Sequence, residues 1–175
     1  MPAPLRSVVT AVSEFRDGVR ESLDRSPRLR ATLIRLGISY HPTYWTTGGR
    51  VVELAPDFTH ARVALPLNLR TRNVVGTTFG GSIYGAIDPI YMLMLRRRLG
   101  GDYTVWDKAA KIRFRKPGRS TLYADFSVPD EGFRSIRESL DVGESTDRVY
   151  EVELVDAAGV VHAEVEKTLY VRRDA

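Results

Sequence analysis

From Ile83 to Leu95 the chain reads IYGAIDPIYMLML, and apart from one carboxylate it offers no polar face. A helix that is apolar all round is buried on every side. The run is too short to cross a bilayer, which takes about 20 apolar residues, and Arg96, Arg97 and Arg98 end it abruptly. The expectation is one helix wrapped by the rest of a water-soluble fold, with no membrane partner. The exception is Asp88, followed by Pro89. Burying an unpaired carboxylate is costly, and Pro89 cannot donate to the carbonyl of Gly85, so the helix must kink or restart there. Two readings stay open: Asp88 is an N-cap with Pro89 as the first residue of a restarted helix, or it is a functional carboxylate.

The segments around this helix alternate. Val51–Leu54 reads as a short strand, and Ala61, Val63, Leu65 and Leu67 set against Arg62 and Ala64 read as a second. After the helix, Gly100 to Asp102 turn the chain. Tyr103–Arg115 then reads as a long strand, Pro117 and Gly118 as a turn, and Leu122–Val128 as the return strand. Phe133, Ile136 and Leu140 form the stripe of an inserted helix stopped by Gly143. Strands from Tyr150 to Leu154 and, past the turn Asp156–Gly159, on to Val171 complete the chain. Ahead of all this, Leu5, Val8, Val9, Val12, Phe15, Val19 and Leu23 mark an amphipathic helix, and Ser26–Pro27 opens a second one stopped by Gly37. These helices predict an arm over residues 1–38, packed on the sheet or on a partner chain, before a main domain over 39–173.

One greasy helix needs a sheet curved around it, and an antiparallel sheet with one covered face supplies that. The predicted fold class is therefore α+β, in a hotdog-like layout. With 175 residues a single domain can bury roughly 70% of its unfolded surface. There is no cysteine, which excludes disulfides, thiolate metal sites and cysteine nucleophiles and fits a cytoplasmic protein. His41, His60 and His162 are expected on surface segments far from the loop before the helix, so no metal and no cofactor is expected. The net charge of +4 suits a phosphate-bearing small molecule as well as a polynucleotide. No nucleic-acid motif accompanies it, so no nucleic acid is expected.

The segment Asn73-x-x-Gly76-x-x-Phe79-Gly80-Gly81, followed by Asp88-Pro89 within the helix, resembles the motif leading into the central helix of hotdog-fold thioesterases of the phenylacetate-degradation type. Those enzymes have Asn-x-x-Gly-x-x-His-Gly-Gly there and an acidic residue at the position of Asp88. Segments such as VWDKAAKIRFRKPGR and EVEKTLYVRR resemble a bacterial branch of that superfamily labelled as a domain of unknown function. The similarity spans roughly Ser39 to Arg173. Phe79 stands where the motif has histidine, and Thr78 stands where the branch commonly has one, so mechanisms that need a loop histidine lose their base.

The resemblance implies an acyl-CoA thioesterase-like hydrolase, or alternatively a non-catalytic module that binds acyl thioesters or fatty acyl groups. Thioester hydrolysis needs donors for a developing oxyanion and a group that activates water or attacks directly. Gly80 and Gly81 lie at the helix start, where backbone N–H groups are free, and Asp88 is the candidate base or nucleophile. Asn73 orients the carbonyl or holds the turn. Thr78, Phe79 and Ser82 are the expected substrate-contacting residues of the same segment. Lys111, Arg113 and Arg115 share one strand face, either solvated or in contact with the phosphates of coenzyme A. Lys108 and Lys167 fall in phase with apolar neighbours, which a bulge or a snorkelled stem explains, and Lys108 joins Arg113 and Arg115 among the expected substrate-binding residues. The implied partners are acyl-CoA or another acyl thioester and a second copy of the chain, as a homodimer or a dimer of dimers joined through a sheet edge.

Overall fold

A computed structural model describes residues 25–142 and 144–174. The apolar stripe from Leu5 to Leu23 and the expected stop at Gly143 lie outside the described residues. Helix α1 (Pro27–Tyr40) begins at the Ser26–Pro27 pair, although the Ser26 side chain makes no cap hydrogen bond. Gly37 does not stop it. The break comes at His41, which is extended (φ −60°, ψ 129°), because the following Pro42 disfavours a helical predecessor. A short helix α2 (Pro42–Thr47) follows. It is absent from the sequence reading because its six residues are too few to show periodicity.

Strands β1 (Arg50–Leu54), β2 (His60–Leu65), β3 (Tyr103–Phe114), β4 (Leu122–Ser127), β5 (Ser145–Val155) and β6 (Val161–Arg173) form one sheet in the order β1-β2-β4-β5-β6-β3. All its pairings are antiparallel. The central helix lies between β2 and β3 as two segments, α3 (Gly80–Ile87) and α4 (Ile90–Leu99), divided at Asp88–Pro89. Helix α5 (Asp130–Val142) buries Phe133, Ile136 and Leu140, the stripe expected of it.

The core is the inner face of the sheet closed on α3 and α4. Ala61, Val63, Leu122, Phe126, Leu154, Val165 and Leu169 pack with Ile83, Ile87, Ile90, Tyr91, Met94 and Leu95. Tyr91 stacks on Tyr150 with ring centroids 4.5 Å apart and donates its hydroxyl to the Glu151 carbonyl. The helix is not wrapped on every side, as its apolar sequence predicted. Tyr84, Asp88 and Met92, four residues apart, and Gly85, Pro89 and Leu93 beside them form a half-buried stripe. A groove of about 1040 Å³, walled by Leu33, Ile34, Ile38 and Tyr44, lies against part of that stripe, at Gly85, Asp88, Pro89 and Leu93. Helix α1 is tied to the sheet where Val51 donates its N–H to Ser39 Oγ at 3.0 Å and Arg35 donates to the Val51 carbonyl.

Candidate functional site

Asp88 does not cap a restarted helix. Its backbone stays helical (φ −48°, ψ −54°) and its N–H still bonds the Tyr84 carbonyl, while α4 begins from Pro89 with no side-chain cap. The Asp88 carboxylate instead meets Lys167. Lys167 Nζ donates to Asp88 Oδ1 at 2.7 Å and to the Asp88 carbonyl at 2.9 Å. A second carboxylate, Asp107 Oδ1, lies 2.7 Å from the same nitrogen. That contact is short but outside hydrogen-bond geometry, and Asp107 Oδ1, itself buried, has no hydrogen-bond donor among the described residues.

The three elements that meet here give the groups very different exposures. Lys167 is fully buried on the inner face of β6, between Val165 and Leu169. The Asp107 side chain is 21% exposed and that of Asp88 41%. Burial pushes the Asp107 carboxyl up, against the opposing pull of Lys167, and the charge of Asp88 adds to the rise. For Lys167, burial alone would lower the ammonium, but contact with Asp107 and Asp88 outweighs it and the net direction is upward. The Tyr84 ring centroid lies 5.2 Å from Lys167 Nζ. Its phenol is raised, first by burial and then by Asp88.

A bulge places Asp107. Asp107 pairs with Leu169 and Ala109 with Thr168, so Lys108 is an extra residue in β3. Before the bulge Val105 and Asp107 face inward; after it Ala110 and Ile112 share that facing, with the small Ala110 opposite Lys167 in the register. Lys108, expected in phase with the apolar residues, is turned aside and pairs with Asp147 at 2.6 Å, half exposed. Asp107 is the functional candidate that the sequence reading missed. A signal existed: Val105 and Ile112 cannot face one core from a regular two-residue repeat, so one extra residue must lie between them.

The loop before α3 is held by its own polar groups. Asn73 Oδ1 accepts from the N–H groups of Val75 and Thr77, and its amide donates to Thr77 Oγ1. The Asn73 side chain is thus occupied in holding the turn, which Gly76 completes at φ +83°, a conformation open to glycine at little cost. Thr78 is buried, and its N–H and hydroxyl both donate to the Gly118 carbonyl in the β3–β4 turn. Phe79 precedes the helix with its ring exposed, lying where a Cβ on Gly81 would come within 2.4 Å. The Phe114 ring covers Gly80 in the same way. Ser82 is buried in the first turn. Among the described residues the N–H groups of Gly80, Gly81 and Ser82 have no acceptor, leaving a cluster of donors at the positive end of a helix dipole.

Other expected residues lie apart from this pair of features. Arg113 and Arg115 are on the outer face of the sheet, and Arg115 makes a two-pronged bond with Glu164 at 2.8 and 2.7 Å. His162 is buried, not on the surface, with Nε2 3.1 Å from Asp156 Oδ2 and Nδ1 3.3 Å from the Lys116 carbonyl. His60 lies 3.4 Å from Asp125. No group of three or more His, Asp or Glu side chains able to hold a metal occurs among the described residues. No described helix is long and apolar enough to cross a membrane.

Residues 30–171 match the family described as Domain of unknown function (DUF4442), and the chain belongs to that family. A protein of unknown function from Pseudomonas aeruginosa, described as a probable thioesterase, superposes with a TM-score of 0.72 at 19% identity, covering 81% of this chain and 95% of that one. A protein of unknown function from Chlorobaculum tepidum gives a TM-score of 0.70 at 13% identity over 85% and 97%. A thioesterase from Haemophilus influenzae gives 0.58 at 14% identity over 77% and 85%. At these identities the likeness establishes the fold alone, a hotdog fold. No curated protein matches this sequence.

Proposed function

We propose that this member of the DUF4442 family is a thioesterase-like hydrolase acting on acyl-CoA or another acyl thioester. The observation that carries the reading is that one helix presents both chemical parts the reaction needs. Its N-terminus leaves three N–H donors without an acceptor among the described residues, and at its break Asp88 shows 41% of its side chain beside an apolar groove. The donors would hold the thioester oxygen as it becomes an oxyanion, and Asp88 would take a proton from water or attack directly. The groove, with its Leu and Ile walls, suits an acyl chain. The thioesterases among the structural neighbours support the same reading.

The two parts are eight residues apart, roughly 12 Å along the axis at about 1.5 Å per residue, too far to act on one carbonyl. A complete site therefore needs a second copy, whose Gly80 end would lie beside the first copy's Asp88. Among the described residues the long strand β3 pairs only with β6 and leaves an edge for such pairing. A homodimer or a dimer of dimers follows. With Arg115 held by Glu164 and Lys108 by Asp147, Lys111 and Arg113 are the cations offered to nucleotide phosphates. A cytoplasmic location suits such a substrate.

A second reading, a module that binds acyl thioesters without turning them over, draws on Thr78 and Phe79 standing where the motifs that this segment resembles have histidine, and on the ammonium beside Asp88. The test is hydrolysis of a panel of acyl-CoA thioesters, short to long chain with one aromatic member, by wild type and by Asp88→Asn. The enzyme reading expects turnover of at least one member, falling by about a hundredfold or more in the variant. Turnover unchanged by the substitution overturns the role of Asp88. Binding without turnover across the panel establishes the second reading, and light scattering that gives a monomer at micromolar concentration removes the shared site.

A further inference from the structure

The cluster around Lys167 poses an electrostatic question that a lone Asp88–Lys167 pair could not answer. A base must accept a proton and become neutral. If Asp88 were the sole counter-ion, its neutralisation would leave the fully buried Lys167 ammonium uncompensated, which is among the most costly states available to a protein interior. Such a pair resists protonation and makes a poor base. The structure places a second carboxylate on the same ammonium: Asp107 Oδ1 at 2.7 Å, deeper than Asp88 and without another donor among the described residues.

Resting on the hydrolase reading, we infer that Asp107 is a positioning residue: it serves as the standing counter-ion of Lys167, so that Asp88 is free to take up and return a proton. The cluster holds two carboxylates and one ammonium, a net charge of −1 when both carboxyls are ionised. In the reaction one O–H bond of water breaks and its proton passes to the Asp88 carboxylate, while the hydroxide oxygen bonds to the thioester carbonyl carbon and the C=O π pair moves onto the carbonyl oxygen, to return when the C–S bond breaks. The cluster becomes neutral, and Lys167 stays paired through Asp107. The C–S bond then breaks, and the departing thiolate takes the proton back from Asp88. The short distances fit this division of labour. Lys167 Nζ lies 2.7 Å from an oxygen of each carboxylate and also donates to the Asp88 carbonyl, so both counter-ions are in place at once.

Other titratable groups surround the cluster. Tyr84 lies on α3, and Tyr150 stands opposite Lys167 in the β5–β6 register with Arg148 two residues before it. Arg30, His41 and Arg97 line the groove that Asp88 borders. None of these is a carboxylate that could replace Asp107.

The experiment compares pH–rate profiles of wild type, Asp107→Asn and Lys167→Gln with carboxyl carbon NMR titrations of the same proteins. In Asp107→Asn the turnover number falls by about tenfold and the acid limb of the profile moves to lower pH, by about 1 on the pH scale, because the remaining carboxylate is locked to the ammonium. In Lys167→Gln the acid limb moves the opposite way, since two carboxylates without a cation share a proton readily. An acid limb unchanged in Asp107→Asn, with only lower turnover or stability, reduces Asp107 to a structural residue and overturns the inference. Activity abolished as fully as in Asp88→Asn makes Asp107 the base itself and also overturns it. Failure of the hydrolase reading is seen separately, as wild type that binds the panel without turnover. In that case, or if a variant is too unstable to assay, the NMR titration decides. The wild-type cluster should take up one proton at a higher pH than the cluster in Asp107→Asn, or in Asp107→Glu against wild type change little; an identical titration with and without the Asp107 carboxylate overturns the inference.

Discussion

Strand β6 carries ion pairs on both of its faces, and they differ in everything except chemistry. On the inner face Lys167 is fully buried between Asp88 and Asp107. On the outer face, three residues away, Glu164 meets Arg115 in a two-pronged bond with side chains 37% and 47% exposed. By bond geometry the outer pair is the better made, since both of its contacts are well-directed hydrogen bonds. By consequence it is the lesser. Water competes with each partner, so an exposed pair contributes little. The inner ammonium has no water to return to, and its carboxylates are requirements, not ornaments. A dense run of charges such as EVEKTLYVRR therefore holds one buried lysine among several solvated residues, and only the side of the sheet tells them apart.

The comparison breaks first at Lys167. Lys167→Met keeps an unbranched side chain up to the terminal nitrogen and removes the charge, leaving two carboxylates facing each other. Urea unfolding at pH 7 is expected to show a loss of about 3 kcal/mol, at the low end for a broken buried pair because Asp88 is partly exposed to water. A loss below about 1 kcal/mol would put the inner cluster in the same class as the outer pair.

Alkaline unfolding sharpens the same point. The Lys167 ammonium is raised above its ordinary value of 10.5. A raised ammonium stabilises the folded state fully below the unfolded value and loses that contribution as pH climbs through the folded one. The phenols of Tyr44, Tyr91 and Tyr150 are raised by burial, Tyr91 to about 12, and add their own decline above pH 10. The Lys167 share is thus the part of the wild-type decline above pH 10.5 that Lys167→Met lacks. Identical alkaline limbs in the two proteins would mean that the lysine is not charged through the folded state.

Salt supplies a smaller test. The deficit of Lys167→Met should change by less than about 0.5 kcal/mol between 0.1 and 1 M sodium chloride, because a buried cluster is poorly screened. The smallest effect belongs to the outer face. Arg115→Ala should leave the thermal midpoint within about 2 °C at pH 7. Arg115 holds the Glu164 carboxyl below its ordinary value of 4.5, so the pair's contribution is present above pH 4.5 and lost as pH falls through the lowered value. In Glu164→Gln that acid-side slope should be absent, and a slope equal to that of wild type would assign it to other carboxylates.

The elements were legible because their cause is local. The all-apolar run around Asp88 predicted a central helix, and alternating residues predicted six strands in the observed chain order. The motif from Asn73 to Gly81 marked the start of that helix. The misreadings came from places where local rules compete. Gly37 looked like a stop, yet a glycine on an open helix face costs only about 1 kcal/mol, and the restriction imposed by Pro42 ended the helix instead. Asp88 followed by Pro89 had the form of an N-cap, but a lysine 79 residues further on claimed its carboxylate.

Sequence alone determined that a single buried helix needed a curved antiparallel sheet, that its N-terminus would leave N–H groups free, and that one carboxylate sat where an apolar helix should have none. Those facts follow from hydrophobic periodicity, backbone hydrogen bonding and the geometry of proline, all of which act within a few residues. Only the tertiary structure decided which charges matter. The bulge at Lys108 exchanges the facing of everything after it in β3, so that Asp107 before it and Ile112 beyond it share the inner face while Lys108 is left outside the register. The register of β3 on β6 then sets Ala110 opposite Lys167. A one-residue slip of either strand would reverse those facings, and the number of residues between a turn and a bulge is settled by packing across the whole sheet.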